Sequence, residues 1–162
     1  MHIAQMNVGT ALYETNDPRM ADFMDNLDRV NAMAETSPGF VWRLTGEGNN
    51  ATDIRPAEDP LFLVNMSVWA SVAALFDFVY RSDHRGFMVR RREWFAKPEG
   101  PYHVLWWVPE GHAPTVEEGL ARLRHLAEHG PTPHAFTFKT VFPETANAPI
   151  DLEPEPYCVG WA

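Results

Sequence analysis

The chain has a single cysteine, Cys158, in 162 residues. An internal disulfide and a thiolate metal cluster are both excluded, and the expected compartment is the reducing cytoplasm. No apolar run is long enough to cross a bilayer. The opening residues Met1-His2-Ile3-Ala4-Gln5 lack the basic-then-apolar pattern of a secretory signal, so no membrane partner is expected. Basic residues are scarce: 13 Lys and Arg stand against 22 Asp and Glu, for a formal net charge of −9. Nucleic acid is therefore not an expected partner, because phosphate binding needs a basic surface. The basic stretch from Arg85 to Arg92 reads as a solvated helix face. P-loop, Rossmann glycine, nucleophile-elbow and H-E-x-x-H patterns are also missing. Hydrolase, NTPase, nicotinamide-dependent and zinc-peptidase readings thus have no support, and no metal site is expected.

What is present is ordinary globular composition, 45% hydrophobic and 22% charged, in a length that suits one domain. Five strands are predicted, over residues 3–8, 40–44, 61–69, 102–108 and 136–141. Asp17-Pro18 starts a helix that Met20, Phe23, Met24, Leu27, Val30 and Ala34 continue to about Thr36. A second helix follows Ser71, and a third runs from about His84 to Phe95. The last opens on the capping-box pattern at Thr115 and closes at Gly130, with Val116, Leu120, Leu123 and Ala127 inward. Residues 1–142 form the expected domain. Residues 143–162, acidic and Pro-rich, form a tail.

The order β-α-β-β-α-β with an extra C-terminal α-β is an α+β, ferredoxin-like arrangement built on a split βαβ unit. Helices on one face of such a sheet leave the other to solvent or to a second sheet. On each of the first three strands one face is apolar and the other carries isolated polar residues. The mixed faces are Ile3/Gln5/Asn7, Val41/Arg43 and Leu63/Asn65/Ser67, and they read as a pocket lining turned away from the helices. The expected assembly is a homodimer whose sheets close a barrel around a small organic ligand. The fourth strand has large residues on both faces, so its inner face stays open.

Several blocks resemble a known family. They are Gln5-Met6-Asn7, the stretch from Asn31 to Arg43 containing Ser37-Pro38-Gly39-Phe40, Ser67-Val68-Trp69, Tyr80-Arg81-Ser82-Asp83-His84, Arg91-Arg92-Glu93-Trp94-Phe95 and Leu105-Trp106-Trp107-Val108-Pro109. Together they resemble the domain-of-unknown-function family 3291, within the dimeric α+β barrel superfamily, over roughly residues 2–142. The resemblance implies that fold and a dimer. Its wider relatives include cofactor-free monooxygenases, haem enzymes, lactone isomerases and ligand-binding domains, so function has to come from the site.

Helical spacing puts His84 and Arg91 on the inner side with Phe87 and Trp94. His84 is a candidate proton shuttle, and equally suits a backbone hydrogen bond. With Asn65 and Arg43 it makes the expected catalytic set. Trp69, Tyr80, Arg91 and Asn7 are the expected substrate-binding residues, although Trp69 also fits plain core packing. Asn31, on the apolar stripe of the first helix, is expected to brace a loop. His125 and His129 have metal-ligand spacing but are expected to face solvent. The first functional reading is a monooxygenase-like or isomerase-like enzyme, without a cofactor, for a small aromatic or polyketide-like compound. The alternatives are a non-catalytic ligand-binding protein and a haem protein with His84 as axial ligand.

Overall fold

β1 (His2–Thr10) is the centre of the sheet, with apolar and polar residues in strict alternation. It pairs antiparallel with β3 (Phe62–Trp69) on one side and with β4 (His103–Val108) on the other. The short β2 (Phe40–Arg43) adds outside β3 across a bulge, giving the order β2-β3-β1-β4. The chain is thus a mixed α+β structure with a four-stranded antiparallel sheet. This computed structural model describes residues 1–81, 86 and 89–144.

Three helices flank the sheet. Asp17 accepts a hydrogen bond from the Arg19 backbone N–H, and the turn Pro18–Met20 leads into α1 (Ala21–Glu35). α2 (Val72–Arg81) follows β3, and α3 (Val116–His129) is capped by the Thr115 hydroxyl, which accepts from the Glu118 N–H.

Register decides which side chains share a face. Ile3, Gln5 and Asn7 stand opposite Trp69, Ser67 and Asn65 on β3, and opposite Trp107, Leu105 and His103 on β4. Opposed residues point the same way, so these nine form one mixed face. That settles β4: Val104, Trp106 and Val108 belong to the other, apolar face with Ala4, Met6, Met66 and Val68.

Both faces are covered, which differs from the expectation. Ala34 of α1 and Leu75, Phe78 and Val79 of α2 pack with Ile3, Trp69 and Leu105 on the mixed face. Leu123 and Leu126 of α3 pack on the apolar face. α3 comes so close that a Cβ on Gly119 would lie 2.8 Å from Met6 Sδ. The mixed face therefore turns toward the chain's own helices and not away from them. The error lay in giving the C-terminal helix no face of its own.

Three further expectations are corrected. Residues 136–141 do not form a fifth strand: Phe136 and Leu105 exchange two hydrogen bonds of 2.8 and 2.9 Å, and the chain then turns through Thr137–Thr140. Here Thr137 Oγ1 accepts from the Lys139 N–H, a local bond that competes with a strand ladder. The described end of the expected third helix is one 3-10 turn, Arg91–Glu93, after which Phe95 bridges to Ala11. On α3, Ala127 is exposed while Glu118 and Arg122 are buried. Of the tail, only Pro143 and Glu144 are described, and Glu144 pairs with the Met1 ammonium at 2.8 Å.

Candidate functional site

A cavity of about 250 Å³ lies between the mixed sheet face and the helices α1 and α2. Its polar floor is built by neighbouring strands. Gln5 Nε2 donates to Asn65 Oδ1 and to Ser67 Oγ, each at 2.9 Å, and Trp69 Nε1 donates to the same Ser67 oxygen at 2.9 Å. Asn7, paired with Asn65 in the register, extends this floor. The inner wall is Trp69, fully buried, stacked 5.0 Å from Phe78 and edge-on to Phe40.

The mouth is aromatic. Tyr80 ends α2 and meets Phe138 at 5.5 Å, and His103 stacks on Phe138 at 5.4 Å. Arg91 lies between two rings, 4.5 Å from the centre of Tyr102 and 5.3 Å from that of Phe95. Its guanidinium donates to Val8 O at 3.0 Å. Gly9 makes room for it: a Cβ there would stand 2.9 Å from Arg91 Nη2 and 2.8 Å from Phe95.

Burial tunes these groups. It pushes the His103 imidazole down to about 4, so the ring is neutral at physiological pH. Burial, with the neighbouring Tyr102, raises the Tyr80 phenol above its ordinary value. Arg91 is lowered by burial, partly offset by Tyr102, yet a guanidinium remains charged. Titratable groups shifted by burial and gathered at one cavity are a recognised mark of function.

Among the residues singled out from sequence, Asn65, Asn7, Trp69, Tyr80, Arg91 and Arg43 all line this cavity. Arg43 is already engaged: Nε donates to Glu35 at 2.7 Å, and its two terminal nitrogens donate to the Asn49 carbonyl and side chain. It ties α1 to the loop after β2. Asn31 is buried and donates to Asn49 O, bracing the same loop. His84 lies outside the described residues.

Sequence reasoning did not single out Tyr102, His103 or Phe138. Tyr102 and His103 open a strand whose face was ambiguous, and Phe138 sat in an expected strand that does not form. A second polar cluster was also missed, on the opposite side of the sheet. Glu118 accepts from Trp106 Nε1 at 2.8 Å and contacts His112 Nε2 at 2.7 Å. Arg122 donates to His134 O at 2.7 Å and lies 3.9 Å from Glu118. The i, i+4 spacing of Glu118 and Arg122 was its only signal. His125 and His129 stack at 4.4 Å, with His125 half-buried against His134 and Thr132. Among the described residues no group of three or more His, Cys, Asp or Glu is placed to hold a metal ion. No described helix is long and apolar enough to cross a membrane.

Fold and site together define an α+β domain with a small cavity under its helices. The chain belongs to the domain-of-unknown-function family 3291 (DUF3291), whose model matches residues 2–151. No curated protein matches the sequence. Among solved structures it is similar to a protein of unknown function from Nitrosomonas europaea, at 14% identity and a TM-score of 0.46, over 70% of this chain and 95% of that one.

Proposed function

We propose that this chain is a small-molecule enzyme of the ferredoxin-like, dimeric α+β barrel type, acting on a one-ring organic compound by proton transfer without a resident cofactor. The strand order β2-β3-β1-β4, with α1 following β1 and α2 following β3, supports the ferredoxin-like part. The reading is carried by one observation: a single cavity gathers Arg91, Asn65, the neutral His103 and two phenols.

Size narrows the substrate. A cavity of about 150 Å³ takes one benzene, so about 250 Å³ takes one ring with a few substituents. A polycyclic polyketide is too large. A porphyrin is larger still, so the cavity does not fit haem. Isomerisation would move a proton and no electrons. Oxygenation would have the ligand anion supply electrons to dioxygen, one oxygen leaving as water. In either case the cavity contributes preorganised donors around a developing anion.

A second reading, non-catalytic ligand binding, is favoured by the low basicity of His103, whose pKa near 4 makes it a poor proton acceptor. Hydrogen exchange of single-ring phenols and cyclic 1,3-diketones in D2O, followed by NMR with parallel oxygen uptake, separates the two. Accelerated exchange or oxygen uptake, lost in Tyr80→Phe or His103→Phe, is the expected result. Binding without either assigns the non-catalytic role, and failure to bind any compound of this size refutes the cavity reading.

A further inference from the structure

The hydrogen-bond polarity of the cavity identifies the charge of its ligand. Both N–H bonds of the Gln5 amide are spent, one on Asn65 Oδ1 and one on Ser67 Oγ. The oxygen of Asn65 is thereby taken, which fixes the orientation of its amide and leaves its NH2 without a partner among the described residues. Trp69 Nε1 is spent as well. What the floor offers to a ligand at Asn65 is therefore a donor.

Arg91 makes the same demand more strongly. It is half-buried, its one hydrogen bond among the described residues goes to a backbone carbonyl, and its neighbours there are aromatic rings. No described carboxylate pairs with it. The other arginine at the cavity, Arg43, is by contrast neutralised by Glu35 at 2.7 Å. A desolvated cation without a counter-charge is costly, and an anion supplied from outside removes that cost. Lowering of the Arg91 pKa by burial is the same cost seen through protonation.

We propose that the ligand of this cavity is a one-ring organic monoanion, its charged oxygen held by Arg91 and a second acceptor oxygen by the Asn65 amide. This rests on the reading of the cavity as a small-molecule site. The ring has a place between the aromatic mouth and Trp69, so specificity comes from the donors and tightness from ring burial.

Benzoate and benzamide test it, since they match in size and shape and differ in charge. Each is titrated into the full chain, with the Trp69 indole N–H resonance reporting occupancy. Benzoate is expected to bind at least about tenfold tighter than benzamide. Asn65→Asp, which keeps an acceptor for Gln5 but replaces the donor by a negative charge, is expected to abolish that preference. Arg91→Gln is expected to do the same and Arg91→Lys to retain most of it, with thermal unfolding verifying that each variant folds. Benzamide binding as tightly as benzoate to the parent overturns the anion assignment and leaves the cavity reading standing. Binding of neither compound at millimolar concentration overturns the cavity reading, and the anion assignment with it.

Discussion

Removal of the buried carboxylate by Glu118→Ala should be among the most destabilising single changes on α3. Glu118 is 8% exposed and accepts from the indole of Trp106, a fully buried residue. Truncation leaves that N–H unsatisfied in the core, at a cost of about 1–3 kcal/mol. It also leaves Arg122, 5% exposed and 3.9 Å away, as a buried cation without its nearest negative charge. Full loss of a buried pair costs about 3–5 kcal/mol. Here the longer separation, and the bond from Arg122 to His134 O, put the total near 3 kcal/mol. For a chain of this length that is a fall in Tm of about 6–12 °C. Urea unfolding is the assay: the midpoint should fall with the slope unchanged. Glu118→Gln keeps an acceptor for Trp106 and should lose roughly half as much. Glu117→Ala, one residue earlier and exposed, should change stability by less than about 0.5 kcal/mol. A loss under about 1 kcal/mol in Glu118→Ala would show that the cluster does not hold α3 to the sheet.

His103 makes acid stability a second test. Its folded pKa, about 4, lies below the ordinary 6.5, so the unfolded chain binds the proton first. Its contribution is whole above pH 6.5 and is lost as pH falls toward 4, by about 3 kcal/mol; His103→Phe should flatten the stability profile in that window, and an unchanged profile rules out this assignment. Gly9→Ala should loosen Arg91 and Phe95, since its Cβ would meet them at 2.9 and 2.8 Å; a melting curve and benzoate affinity both equal to the parent's would contradict that packing. Assembly is a third test: α3 packs on β4 and β1, leaving Val8, Trp42 and Leu44 only partly covered at the other end of the apolar face. We propose that a second copy covers that strip, and sedimentation at micromolar concentration that finds only the 18.4 kDa monomer would remove the dimer.

The sheet was legible because its strands alternate. The two polar residues at Gln5 and Asn7, and the two at Asn65 and Ser67, keep a period of two, and that period marked a lining before any coordinates did. The pairing Asn7↔Asn65 then brings them onto one face. Alternation says which residues are together, not which side the helices take. That choice depends on where α3 docks, which is a long-range fact: Gly119 against Met6 joins residues far apart in sequence.

The fourth strand shows the limit most plainly. Val104 and Trp106 are as large and apolar as Leu105 and Trp107, so periodicity carries no sign there. Only the register with β1 assigns His103 to the cavity. The same limit hid Phe138, which reaches the mouth from a turn. Arg91 and Arg43 were indistinguishable as candidate anion holders until their partners were seen. A carboxylate at 2.7 Å ties down one, while two aromatic rings and a carbonyl leave the other's charge for a ligand. Residue type and facing can be read from a sequence, but the presence or absence of a counter-charge is a property of the folded neighbourhood, and it is that property which turns a lining arginine into a binding one.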